Sequence, residues 1–152
     1  ELAKEKEKGE QALIDNDIHI DKADLKQLDR EIEAVHDIMV TASTSINFEE
    51  VISKEQIKKI FYSFKSFLNP DYVFFARTNK DNRPIGFTFA LPNYNEVIKK
   101  MNGKTNIFSL FKFAIYKKRI TGLRAMLQYI VPEYQHKGIS KALLVFLTYF
   151  FR

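Results

Sequence analysis

The stretch with the clearest chemistry is LRAMLQYIVPEYQHKGISKALLVFL, residues 123–147. Leu123–Val131 has the apolar, strand-favouring content of a β-strand, and the residues from about Ile139 onward read as a helix. Between them lie Val131-Pro132-Glu133-Tyr134 and then Gln135-His136-Lys137-Gly138-Ile139-Ser140. The first turn of a helix carries backbone N–H groups with no intrahelical acceptor and a partial positive charge. A pyrophosphate can take those donors where no side chain blocks its approach. Gly138 has no Cβ, Ser140 is small, and Lys137 and Lys141 add positive charge beside them. This pattern suits the holding of a phosphate-bearing ligand at a strand-to-helix turn.

Few other residues offer chemistry. His136 sits inside the turn, where an imidazole more often meets solvent or phosphate than acts as a base. Glu133 is a candidate general base, able to take a proton from an attacking amine; its ordinary role would be that of an exposed loop acid. Tyr134 is expected to pack. Asn93, Tyr94 and Asn95 open a helix, with Asn93 as its expected cap. His19 and His36 read as plain strand and helix residues. The chain has no Cys and only three, widely spaced His. Disulfides, thiol nucleophiles and Cys-based zinc sites are therefore excluded, and no metal site is expected. The lack of Cys fits a reducing compartment, and a cytoplasmic location is the expectation.

The elements that must position the turn can be read along the chain. Residues 2–13 form a charged helix, stopped or bent near Gly9. Asp17–Asp21 alternates like a short strand. Asp24 caps a helix whose Leu25, Leu28, Ile32, Val35, Ile38 and Met39 form one apolar stripe. Thr41–Phe48 is a polar loop. Ser53 and Gln56 make a capping box for the next helix, which Asn69-Pro70 ends. Tyr72–Arg77 and Pro84–Leu91 are strands joined by the turn Asn79–Arg83, and Pro92 stops the second. Tyr94–Met101 and Ile107–Lys117 are helical in pattern. Phe108–Arg119 joins aromatic to basic residues, which suits a packed insertion better than a membrane-surface helix. The mixture of strands and helices points to the α/β (α+β) class.

Charge is unevenly spread across the 152 residues. The net formal charge of +5 hides a front third, residues 1–50, at −8. Residues 51–100 stand at +5 and residues 101–152 at +8. A basic back half implies a phosphate-bearing partner. The longest apolar run, Ala142–Phe151, is half the roughly 20 residues of a spanning helix, so no membrane span is expected.

Gln135, Gly138 and Ser140 stand at the three marked positions of motif A in the GNAT (N-acetyltransferase) superfamily, which this stretch resembles. That motif has Gln or Arg, two residues, Gly, one residue, then a small residue. PIGFTFALPNYNEVIKKMNGK, residues 84–104, is similar to a bacterial branch in which a strand ends in A-L-P before an N-E-x-x-K-x-x-N-G-[KR] helix. The resemblance covers about residues 17–151. It implies a mixed, mainly antiparallel sheet flanked by helices. Residues 1–16 would be a helical connector, and residues 17–152 a partial domain with a helical insertion at about 93–120.

The implied activity is acyl transfer from acetyl-CoA (coenzyme A) to a small-molecule or peptide amine. In the superfamily the turn holds the pyrophosphate of coenzyme A and the preceding strand bonds its pantetheine arm. Carried over, the cofactor residues are Tyr129, Ile130, Val131, Gln135, His136, Lys137, Gly138, Ile139, Ser140 and Lys141. Backbone N–H groups near Ile130 and Val131 would polarise the thioester carbonyl. Glu133 would be the base, and Asn47, Phe48 and Tyr94 would face the acceptor. Ser140 departs mildly from the commoner Gly or Ala. The ending departs more: a complete domain of this kind continues past the last helix, which here is apolar on nearly every face. The expectation is a truncated domain, with a covering oligomer as the other source of a missing layer. Two further readings stand beside acyl transfer. One is a non-catalytic module binding coenzyme A or a partner. The other is a basic nucleic-acid or membrane binder, which the charge permits but the spacing of aromatics does not favour, so no nucleic acid is expected.

Overall fold

The computed structural model describes residues 2–43, 52–64, 69–95, 99, 120 and 122–150. Among these, α1 (Leu2–Asp15), β1 (Ile18–Lys22), α2 (Leu28–Ser43) and α3 (Lys54–Phe64) come first. There follow β2 (Val73–Thr78), β3 (Pro84–Pro92), β4 (Leu123–Ile130) and α4 (Ile139–Phe150). The strands make one antiparallel sheet in the order β1-β2-β3-β4, so the chain is of the α+β class. The expected helices within 96–119 and the loop at 44–51 lie outside the described residues.

Local signals explain where the elements start. Ser53 Oγ accepts from Gln56 N–H at 3.3 Å, and Gln56 Oε1 accepts from Ser53 N–H at 2.8 Å. This reciprocal box satisfies two N–H groups that a helix start leaves over. Asp24 accepts from Lys26 N–H at 3.0 Å and opens a short 3-10 turn, Leu25–Gln27, ahead of α2. That backbone bond and the Gln27 amide hold the Asp24 carboxyl below its usual range. α2 runs on to Ser43, past the expected loop start at Thr41. Lys54–Glu33 and Lys58–Asp29 ion pairs, with Ile57 buried between them, lay α3 along α2.

Strand alternation sorts the sheet into two faces. Phe75 of β2, Phe87 of β3 and Tyr129 of β4 form one row, with ring centroids 6.2 and 5.8 Å apart. Arg77 lies on that same face, 4.6 Å above the Phe75 ring. Its guanidinium bonds Glu31 of α2 at 2.7 Å and Asp21 of β1 at 3.0 Å. Both Arg77 and Glu31 are only 3% exposed, so α2 covers this face through an ion pair as well as its apolar stripe. The opposite face carries Phe74, Thr88 and Gln128 in register. There Gln128 Nε2 donates to Ser140 O at 2.8 Å, which puts α4 on that side.

α1 packs alongside α4. Gly9 is buried in the middle of a continuous helix, where a Cβ would lie 3.1 Å from Ala142 Cα. The expected stop or bend at Gly9 is absent because the glycine serves a close helix contact. Residues 1–16, read from sequence as a connector, thus contribute a helix packed on this face, and Leu13 joins the hydrophobic core.

Two stability predictions follow from the buried polar groups. Glu31→Leu and Arg77→Met each break the buried Arg77–Glu31 pair, leaving Arg77 to Asp21 and Glu31 to Arg30; each should cost about 1–3 kcal/mol in denaturant unfolding, while the double variant loses less than their sum. Thr88 Oγ1 is fully buried with no hydrogen-bond partner among the described residues. Thr88→Val should therefore raise the unfolding free energy by about 1 kcal/mol in the same assay.

Candidate functional site

The connection between β4 and α4 is built from short hydrogen-bonded pieces. Val131 N–H donates to Ile85 O at 2.9 Å, extending the β3–β4 pairing by one residue. Pro132–Tyr134 makes a 3-10 turn, and Gln135 N–H closes it onto Pro132 O at 3.2 Å. The Gln135 side chain then reaches back to Ile130 O at 2.9 Å. His136 and Gly138 both take positive φ, 61° and 83°. A non-glycine residue in that region is uncommon, and two such residues within three positions turn the chain sharply into α4. Ala142 N–H donates to Gly138 O at 3.1 Å, which makes Gly138 the residue at the helix mouth. The next three N–H groups, on Ile139, Ser140 and Lys141, have no acceptor within the helix.

An open cleft of about 740 Å³ lies against this mouth. β4 contributes Gln128 and Ile130 to its wall, and the turn contributes Tyr134, Gln135, His136 and Gly138. Ser140 and Lys141 line it from the first turn of α4, and Lys8 and Gly9 line it from α1. Six of the ten expected cofactor residues therefore meet around one space: Ile130, Gln135, His136, Gly138, Ser140 and Lys141.

The other four do not line it. Tyr129 stacks on Phe87 on the α2 face. Val131 and Ile139 are buried in the core, 6% and 1% exposed. The Lys137 ammonium sits over the Tyr134 ring at 5.0 Å, outside the cleft lining. Strand and helix periodicity explains Tyr129 and Ile139, since neighbouring residues along β4 and α4 must face different ways.

The expected catalytic and acceptor residues are placed elsewhere. Glu133 is exposed and paired with Arg83 of the β2–β3 hairpin at 3.3 Å, and it is not part of the cleft wall. The Val131 N–H expected to polarise a carbonyl is already bonded to Ile85 O. Tyr94 follows the end of β3, whose Pro92 pairs with Leu123 at the far end of β4. Leu123 and Ile130 are seven residue steps apart along β4, or about 23 Å at the usual strand rise. The structure thus does not bring Tyr94 to the cleft. Asn47 and Phe48 lie outside the described residues.

Lys8, Gly9 and Gln128 were not among the residues expected from sequence. A glycine midway along an otherwise charged helix was the available signal, because it costs helix stability unless something packs against it. The two lysines facing each other across α1 and α4 share one carboxylate. Glu5 lies 3.7 Å from Lys8 Nζ and 3.5 Å from Lys141 Nζ. Gly138 has a packing role beside its place at the helix mouth: a Cβ there would come 3.0 Å from Ala12 Cβ.

No family model matches the chain, and searches of curated proteins and of solved structures return no match.

Gly9→Leu tests the α1–α4 contact. Helix propensity alone would make leucine the better residue by about 1 kcal/mol. The close approach to Ala142 instead predicts a loss of about 1–3 kcal/mol in urea unfolding. A gain in stability would show that α1 does not pack here.

Proposed function

We propose that the chain is the acyl-CoA-binding part of an N-acyltransferase. The supporting observation is the cleft itself. It sets the mouth of α4, its small residues Gly138 and Ser140, and the lysines Lys8 and Lys141 around one space that borders the end of β4. A pyrophosphate suits such a place, because the free N–H groups and the ammoniums supply donors and positive charge together. The resemblance of Gln135, Gly138 and Ser140 to motif A supports the same ligand. Gln135 contributes by tying the turn to Ile130, which holds the helix mouth against the strand end.

In this reading coenzyme A supplies the activated acyl group as a thioester. An amine attacks the carbonyl carbon, the C–S bond breaks, the thiolate leaves, and the amine loses a proton. The protein's contribution would be proximity and orientation of the two reactants. A second reading, a module that binds coenzyme A without turnover, has specific support. Glu133 is paired with Arg83 away from the cleft, and Val131 N–H is engaged with Ile85, so the expected base and one of the two expected polarising donors are occupied.

Calorimetry with acetyl-CoA tests the shared part of both readings. Ser140→Glu adds a negative charge where acidic residues favour a helix start, so the fold should keep its thermal midpoint. The same charge should weaken acetyl-CoA binding by roughly tenfold or more, through like-charge repulsion at the phosphate position. No binding at millimolar acetyl-CoA, or salt-steep DNA binding in its place, would sink the proposal. Thiol release across a panel of amines then separates transferase from binding module.

A further inference from the structure

We infer that α1 is a ligand-binding wall of the cleft: Lys8 and Lys141 jointly take a phosphate group of the ligand in place of the Glu5 carboxylate, and binding tightens α1 on α4. This rests on the coenzyme A reading above and adds to it an exchange of partners at Lys8 and Lys141 and a coupling of α1 to binding.

Two ammoniums from different elements already converge on one anion. Glu5 bridges Lys8 at 3.7 Å and Lys141 at 3.5 Å, and Lys8 and Lys141 both line the cleft. The bridge is easily exchanged. The side chains of Lys8, Lys141 and Glu5 are 59%, 67% and 35% exposed, and exposed ion pairs are weak. The pyrophosphate placed here brings about one negative charge on each of its two phosphorus centres and several acceptor oxygens, against the single charge of Glu5. It can satisfy both lysines more fully than the carboxylate does.

The coupling follows from the ligand's two lysines standing on two different helices. Gly9 and Leu13 are the buried positions of α1 among the described side chains, while Ile14 is 72% exposed. Ala12 meets Gly138 at the mouth of α4, and Lys6 lies over the Tyr149 ring at 4.9 Å. A ligand bound by Lys8 on α1 and by Lys141 on α4 bridges the two helices. By linkage, whatever binds only the docked state stabilises docking.

The test uses the full chain and coenzyme A, with Lys8→Glu, Glu5→Gln and, as a control for overall charge, Lys4→Glu on the exposed side of α1. Calorimetry should show Lys8→Glu weakening binding by roughly tenfold. Glu5→Gln, which releases both lysines, should tighten it by about threefold, whereas a purely structural role for the bridge predicts no gain. Lys4→Glu should stay near the wild-type value. Amide exchange of residues 5–13 should slow by up to about 100-fold at 100 times Kd, with no change of that size in α2. If wild type binds but Lys8→Glu matches Lys4→Glu and α1 exchange ignores ligand, the role of α1 is refuted and the cofactor reading stands. If wild type binds no coenzyme A, the cofactor reading falls and this proposal with it.

Discussion

The close approach of α1 to α4 is the constraint on which the candidate site depends. At Gly9 and Ala142, and again at Ala12 and Gly138, the two helices leave no room for a larger side chain. Packing this tight brings Lys8 within reach of the mouth of α4 and makes a walled cleft of what would otherwise be an open helix end. It also gives Gly138 two roles. Its positive φ turns the chain into α4, and its missing Cβ admits α1. Room for a phosphate and room for a helix are met by the same absent atom.

The opposite face of the sheet solves a different problem. Arg77, Glu31 and Asp21 join β2, α2 and β1 through one partly buried network, above a row of aromatic rings. Such a network costs desolvation, and its members depend on one another for compensation. It fixes how α2 lies across the strands. The sheet is therefore clamped on one side by charge pairing and covered on the other by helices in glycine contact, and the cleft belongs to the second side.

Much of this was legible locally. Ser53 and Gln56 form the capping box their spacing suggests, and Asp24 caps where it was expected. The strands β1 to β4 fall within a residue or so of their readings, because alternation, β-branched content and the Asn79–Arg83 turn are short-range signals. The strand, turn and helix of residues 123–150 were equally plain. Which of the motif residues share a space was less so. Tyr129, Val131 and Ile139 adjoin cleft residues in sequence but face the core, and Glu133 is drawn away by Arg83, fifty residues earlier in the chain.

By itself the sequence determined most of the described secondary structure, the class of fold, the acidic front and basic back, and a turn whose residue types suit an anion. These depend on backbone propensity, periodicity and charge, all of which act between near neighbours or add over the chain. Only the tertiary structure decided that α1 returns to lie on α4, that Lys8 and Lys141 meet at one carboxylate, and that the Val131 N–H is bonded to Ile85. Each of those joins groups far apart in sequence, and their meeting is set by how whole elements pack against one sheet.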